Sequence, residues 1–175
     1  KLMAGSYPPV LPSAMGPDDL AAILYSGGTT GQPKGIMLSN YNFISEGLMT
    51  SAFRRITHGD RHMVMVASLP IFHGFGLGIC CNAMFMSGAT SILVPVFTPD
   101  ALAEIIRTKK PTAISGVPTL YDALTRSSIL QEADLSCLLS ASVGADTLPR
   151  SVKERFEDIV RRRGGSVQLV EGYGL

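Results

Sequence analysis

From residue 62 to residue 99 the chain contains no Asp, Glu, Lys or Arg. An uncharged stretch of that length has to be buried, in a membrane or in a protein core. A spanning helix needs about 20 consecutive apolar residues. Here the run is broken by Pro70, His73, Gly74, Gly76, Gly78, Asn82, Gly88 and Pro95. It divides into an apolar strand at 63–69, a helix at 78–86 buried on most sides, and a strand at 90–94. The expectation is a buried β-α-β unit, the building block of a parallel sheet.

The flanking sequence repeats the alternation. Residues 1–18 are rich in Pro and Gly and read as an irregular lead-in. Residues 19–25 form a short apolar strand that stops at a glycine cluster, and 35–38 read as extended. Ser39 then suits the N-cap of a helix reaching residue 53. Thr98 and Pro99 open a helix whose Leu102, Ile105 and Ile106 share a face. Strands are expected at 112–115, 135–142 and 167–170, with helices from Pro118 and over 150–163. Arg161, Arg162 and Arg163, followed by Gly164, read as a solvated helix end rather than a phosphate patch. The predicted fold class is α/β, a mostly parallel β-sheet with helices on both faces. In such sheets ligands sit at the carboxyl ends of the strands.

Composition narrows the function. With 46% hydrophobic and 17% charged residues, the 175-residue chain is one globular domain or a large part of one. A net charge of +1 argues against a strongly basic nucleic-acid binder. Cys80, Cys81 and Cys137 form no Cys-x-x-Cys and read as buried, reduced thiols of a cytoplasmic protein. His58, His62 and His73 lack partners at ligand spacing, so no metal site is expected. The chain starts at Lys1 without an initiator Met and stops at Leu175, just after a motif-like stretch. It reads as a piece of a longer enzyme.

The chemistry concentrates in Ser26-Gly27-Gly28-Thr29-Thr30-Gly31-Gln32-Pro33-Lys34-Gly35. Glycines let the backbone curl so that several N–H groups converge on one point. Ser26, Thr29 and Thr30 add hydroxyl donors, and Lys34 adds a compact cation. Converging donors plus one positive charge are what a polyphosphate requires. The pattern is not a Walker A loop, because Pro33 occupies the position before Lys34. Nor does the chain hold the Gly-x-Ser-x-Gly elbow of a serine hydrolase.

This segment resembles the phosphate-binding signature of the AMP-forming, acyl-adenylating superfamily, which includes acyl-CoA synthetases. Leu69-Pro70-Ile71-Phe72-His73-Gly74-Phe75-Gly76 resembles its Pro-x-Phe-His-x-x-Gly motif. Val143-Gly144-Ala145-Asp146-Thr147-Leu148-Pro149 resembles its adenine-side turn with one extra residue. Glu171-Gly172-Tyr173-Gly174-Leu175 resembles the start of its Tyr-Gly-x-Thr-Glu motif. Gly27 stands where the family often has Ser, which removes one hydroxyl donor but keeps the backbone N–H.

The resemblance implies a large N-terminal adenylation domain over 1–175, without the C-terminal lid domain. It implies ATP-dependent activation of a carboxylic acid to acyl-AMP with release of pyrophosphate, then transfer to CoA. Without the lid, these residues alone are expected not to turn over. The cofactors implied are ATP, Mg2+ and CoA, with the magnesium ligand lying beyond Leu175. Ser26, Gly27, Gly28, Thr29, Thr30, Gly31 and Lys34 would clamp the β- and γ-phosphates, and Lys34 would act in catalysis. Tyr173 would lay its ring against the adenine, Gly144 and Ala145 would wall the other face, and Asp146, Glu171, Gly172 and Gly174 would belong to the same nucleotide-binding set. His73 would stand by the carboxylate and gate the thiol. A His there cannot pair with an ammonium, as an Asp would, so the acid is expected to lack an α-amine. Phe72, His73, Phe75, Gly76, Gly116 and Val117 are the candidate acyl-pocket residues. Glycines at 74, 76 and 78 suggest a tunnel and hence a medium- or long-chain fatty acid. Two alternatives stay open: an acyl-AMP ligase loading a carrier protein, and a non-catalytic nucleotide-binding module. Peripheral membrane contact and oligomeric state stay open as well.

Overall fold

The computed structural model describes residues 14–26 and 32–174. The order is β1 (Leu20–Ser26), β2 (Lys34–Ser39), α1 (Asn40–His58), β3 (Val64–Ala67), a π-helix (Phe75–Asn82) running into α2 (Ala83–Met86), and β4 (Thr90–Leu93). Then come α3 (Pro99–Lys109), β5 (Ala113–Gly116), α4 (Pro118–Thr125), α5 (Ser128–Glu132), β6 (Ser140–Val143), α6 (Arg150–Arg162) and β7 (Leu169–Glu171). Five strands make a parallel sheet in the order β4-β3-β5-β6-β7. The α/β class and parallel sheet are as the sequence predicts.

The first two strands stand apart. β1 and β2 pair antiparallel as a separate two-stranded ribbon, with Ser26 opposite Lys34. The segment joining them is too short for the crossover a parallel pair needs, so they can only fold back on each other. The ribbon lies outside the parallel sheet, so the apolar run at 19–25 is not one of that sheet's strands.

Side chains alternate across the parallel sheet as the pleat demands. Val66, Ile114, Ala141 and Val143 face one way, into a core shared with Leu102, Ile106, Tyr121, Leu124, Phe156 and Val160 from α3, α4 and α6. Met65, Ala67 and Ala113 face the other way, onto Cys80, Ala83 and Met84 of the π-helix and α2. α1 packs on the far side of that pair as a third layer. Tyr121 joins its helix to the sheet directly. Its buried hydroxyl has one hydrogen, which lies between Ser142 O (2.8 Å) and Ile114 O (3.1 Å), and its ring meets Phe156 edge to face. Arg155 and Arg126 both reach Asp122, and the first of these pairs ties α6 to α4.

Helix ends follow the sequence closely. Ser39 caps α1 in a reciprocal box with Asn42, and Thr98 caps α3 with Pro99 in its first turn. Arg161 and Arg162 pair with Asp158 at the end of α6, as expected of a solvated helix terminus. Two expectations shift, and one short helix has no counterpart in the sequence reading. The helix expected at 78–86 starts at Phe75, and its first eight residues wind as a π-helix. The strand expected at 135–142 pairs only from Ser140; Leu135 and Leu138 are core residues in a turn, where Leu135 N–H donates to Arg163 O. Periodicity cannot separate a buried turn from a buried strand. The short α5 has too few residues to leave a pattern. Among the described residues no helix is long and apolar enough to cross a membrane.

Gly76 fixes how the π-helix meets the sheet. A Cβ there would run into the carbonyl oxygen of Pro70 and stand 2.7 Å from its carbon and 2.9 Å from Leu69 O. Backbone cannot yield as a side chain can, so Gly76→Ala is expected to cost about 3 kcal/mol or more in the full-length protein. The midpoint of chemical denaturation measures it. Cys80 is fully buried, and burial pushes its thiol up to about 12. It should resist iodoacetamide at pH 8 in the native state and react only on unfolding. The raised value favours the neutral thiol when folded. Its contribution to stability should therefore be complete below the ordinary value of 9.0 and fade as pH rises towards about 12. Denaturation midpoints across that range would test the sign.

Candidate active site

The carboxyl ends of β3, β5, β6 and β7 lie along one edge of the sheet, and most of the sequence-predicted residues follow them. Gly144 N–H donates to Gly116 O (3.1 Å), and Gly172 N–H donates to Val143 O (2.7 Å). A Cβ on Gly144 would stand 3.0 Å from Gly172 O and 3.1 Å from Phe75 Cε1. Residues from four separate segments thus converge: Phe75 after β3, Gly116 at the end of β5, Gly144 after β6 and Gly172 after β7. Three of these four residues are glycines, and their lack of side chains lets the backbone turns and the Phe75 ring pack this closely. Gly172 has only Val143 O, at 3.9 Å, near an added Cβ, so the backbone there stays open to a ligand.

The turn after β6 is strained. Ala145 holds φ at 69°, in the left-handed region that glycine normally occupies. Non-glycine residues kept there cluster at binding sites. Asp146 Oδ1 accepts from the neighbouring Thr147 N–H at 2.7 Å, which holds the Asp146 side chain against its own turn. Glu171 Oε1 accepts from Leu148 N–H at 3.2 Å. The Glu171 carboxylate therefore clips this turn to β7, which gives it a positioning task. Tyr173 is 90% exposed, and Gly174 follows it at the open edge.

The loop between β3 and the π-helix presents His73 to solvent. Its N–H donates to Pro70 O, and its carbonyl accepts from Leu77 N–H to begin the π-helix. The ring is held by its own loop: Phe75 N–H donates to His73 Nδ1 at 3.1 Å. An Nδ1 that accepts carries no proton, so this bond selects the neutral tautomer with its hydrogen on Nε2. That N–H is then available for an incoming carboxylate.

Lys34 and Ser26 close the β1–β2 ribbon opposite each other. The ribbon reaches the His73 loop, since a Cβ on Gly74 would touch Leu24 Cδ1 at 3.8 Å. Gly27, Gly28, Thr29, Thr30 and Gly31 lie outside the described residues. Between ribbon, α1 and π-helix lies a mainly apolar cavity of about 280 Å³, lined by Leu24, Leu38, Phe43, Gly74 and Gly78 with Glu46 beside them.

The expected acyl tunnel is only partly present. Gly74 and Gly78 open onto this cavity, but the space beside Gly76 is filled by the Pro70 carbonyl. Gly116 is covered by Leu120, whose Cδ2 would stand 2.9 Å from an added Cβ. Phe72 is 76% exposed, and Val117 packs into the core. Gly76, Gly116 and Val117 therefore serve packing. The sequence reading also misses Ser68, whose hydroxyl just beyond β3 is buried without a hydrogen-bond partner among the described residues. Only its place after a strand could have flagged it. No group of three His, Cys, Asp or Glu among the described residues could hold a metal ion.

Comparison with known proteins now adds to the geometry. Residues 3–175 match the family described as AMP-binding enzyme. The chain is 39% identical to a long-chain-fatty-acid–CoA ligase of Bacillus subtilis (strain 168) over 157 residues, 90% of this chain and 27% of that protein. It is 32% identical to a feruloyl-CoA synthase of Amycolatopsis sp over 172 residues, 98% of this chain and 33% of that protein. The crystal structure of ATP-bound MatB from Rhodopseudomonas palustris superposes with a TM-score of 0.75 at 33% identity, covering 92% of this chain and 30% of that one. The chain thus spans between about a quarter and a third of the length of these proteins.

The strain at Ala145 predicts opposite effects for two substitutions. Ala145→Gly should raise stability by about 0.5 kcal/mol, the relief of a left-handed alanine less the entropy glycine loses on folding. Ala145→Val should lower it by about 1–2 kcal/mol. Denaturation midpoints of the full-length variants check both signs.

Proposed function

The chain belongs to the AMP-binding enzyme family, and on that footing we propose that it is the nucleotide- and acyl-binding part of an ATP-dependent fatty-acid–CoA ligase. A carboxylate oxygen attacks the α-phosphorus of ATP, and the bond to pyrophosphate breaks. The sulfur of CoA then attacks the acyl carbon, and AMP leaves. The observation that carries the reading is the convergence of Gly144, Gly172 and Phe75 at the sheet edge, beside the loop that presents His73.

Each residue has a task in this scheme. Lys34, at the end of the β1–β2 ribbon, offsets negative charge as pyrophosphate departs. Ser26, Thr29 and Thr30 add donors on the same loop, with Gly27, Gly28 and Gly31 leaving room for backbone N–H groups. Gly172 leaves its backbone open to the adenine, Gly144 lets Phe75 and Gly172 close up beside it, and Tyr173 closes over it. His73 Nε2–H donates to the substrate carboxylate and, with Phe72, borders the thiol's path. Magnesium would neutralise phosphate charge, and a lid domain of the kind the family resemblance implies would complete the reaction.

A fatty acid is preferred because the cavity beside Gly74 and Gly78 is mainly apolar, and the described residues that line it include no cation to meet a second acid group. The higher identity to the Bacillus subtilis ligase points the same way. The compactness of that cavity, about 280 Å³, favours a second reading, an aromatic acid as in the feruloyl-CoA synthase. Cytoplasmic residence is part of the proposal, supported by three free cysteines.

ATP–pyrophosphate exchange by the full-length protein tests the reading, across acids from acetate to palmitate with ferulate, benzoate and amino acids beside them. Exchange should appear with fatty acids, and Lys34→Ala should reduce it by about 100-fold or more. Exchange with ferulate alone would select the aromatic reading. Exchange with amino acids, or none from folded protein, would overturn the proposal. His73→Ala should raise the KM for the acid by about tenfold while leaving the KM for ATP nearly unchanged.

A further inference from the structure

At the opposite edge of the sheet, where β3 and β4 begin, lies a second and more polar pocket of about 510 Å³. Its walls are the last turns of α1, the 59–63 segment that leads into β3, and the 87–89 segment that leads into β4. Arg54, Arg55 and Arg61 all line it, with Asp60 as the one acidic residue. Asp60 is already engaged, its Oδ1 standing 3.1 Å from Arg55 Nε. Arg61 has no carboxylate partner among the described residues. Arg54 donates from Nη1 to Arg61 O at 3.0 Å, but its Nε is buried with no hydrogen-bond partner. Ser51 and Ser87 add hydroxyls to the wall, and His62 Nε2 is held by Thr90 Oγ1 at 2.9 Å.

We infer that this pocket binds a phosphate-bearing anion at a site separate from the adenylation edge. A buried guanidinium N–H without an acceptor is costly to leave unmade, and an anionic oxygen would satisfy it. Guanidinium groups match phosphate oxygens in pairs, which lysines do not. A competing use for arginines is to neutralise helix C-termini, and α1 and α2 both end here. Each end carries roughly half a negative charge, so two ends offset only about one unit. Three arginines less Asp60 leave a positive surplus of about one unit after that correction. Asp60 does not hold Arg54 or Arg61, whose free donors remain for a ligand. The source is a free phosphorylated compound or a phospholipid headgroup. Phe53 and Ile56, exposed at 68% and 83% on the same stretch of helix, would offer a headgroup an apolar anchor.

The inference stands apart from the ligase reading, and the test keeps them separable. Inorganic phosphate would be titrated into the full-length protein by calorimetry at low salt, in a Lys34→Ala background that weakens the phosphate loop. Binding should persist there and fall by about tenfold or more in Arg55→Gln/Arg61→Gln. Both positions are exposed, so that double variant should keep its thermal midpoint and, with Lys34 restored, its pyrophosphate exchange. Vesicles of phosphatidylglycerol and phosphatidylcholine supply the second arm. Sedimentation with phosphatidylglycerol that the double variant loses assigns a lipid headgroup. Phosphate binding without vesicle binding assigns a free compound. Phosphate binding that is unchanged in the folded double variant, or lost entirely with Lys34→Ala, overturns the inference.

Discussion

The close approach of Gly76 to the Pro70 carbonyl governs how the site side of the molecule is assembled. It lets the chain leave β3, turn at Pro70 and enter a helix within a few residues, with no side chain between backbone and backbone. The turn exposes His73 and starts the π-helix, and the π-helix carries Phe75 to the glycines after β6 and β7. A residue with a Cβ at position 76 would push the helix outward and separate these parts. Wide helical turns recur at functional sites, and here the wide turn stands next to one.

The sheet supplies the other half of the arrangement. Parallel strands bring their carboxyl ends to one edge, so segments distant in sequence meet there without any special device. Gly116 ends β5, Gly144 and Gly172 follow the successive neighbours β6 and β7, and backbone hydrogen bonds link each to the strand or glycine beside it. The order of strands therefore determines the order of site residues along the edge. Tyr121 reinforces the same pair of strands from beneath, with one hydroxyl reaching carbonyls of both β5 and β6.

Apolar surface is unevenly covered. α3 to α6 blanket one face of the sheet, while the π-helix and α2 shield mainly β4, β3 and β5 on the other. Val170 of β7 is 61% exposed, and α1 turns Leu48, Phe53 and Ile56 outward. α1 is inverted relative to an ordinary surface helix. Its small, buried Gly47 faces inward, where a Cβ would crowd Met86, and its large apolar residues face out.

The sequence by itself determined the alternation of strands and helices, the caps at Ser39 and Thr98, the solvated end of α6 and the loops that carry chemistry. These are local properties. A charge-free run, an N-cap hydroxyl or a glycine cluster acts on residues a few positions away, so its effect can be read in one dimension. Only the tertiary structure decided which glycines make room for a ligand and which make room for protein. Gly76 and Gly116 look like Gly74 and Gly78 in sequence, yet the first two are filled by Pro70 and Leu120 and the second two border a cavity. Glu171 likewise gained its bond to Leu148 N–H, and Ala145 its strained turn, from strands that meet only after folding. What a position faces depends on residues tens of places away in the chain, and no local pattern encodes that distance.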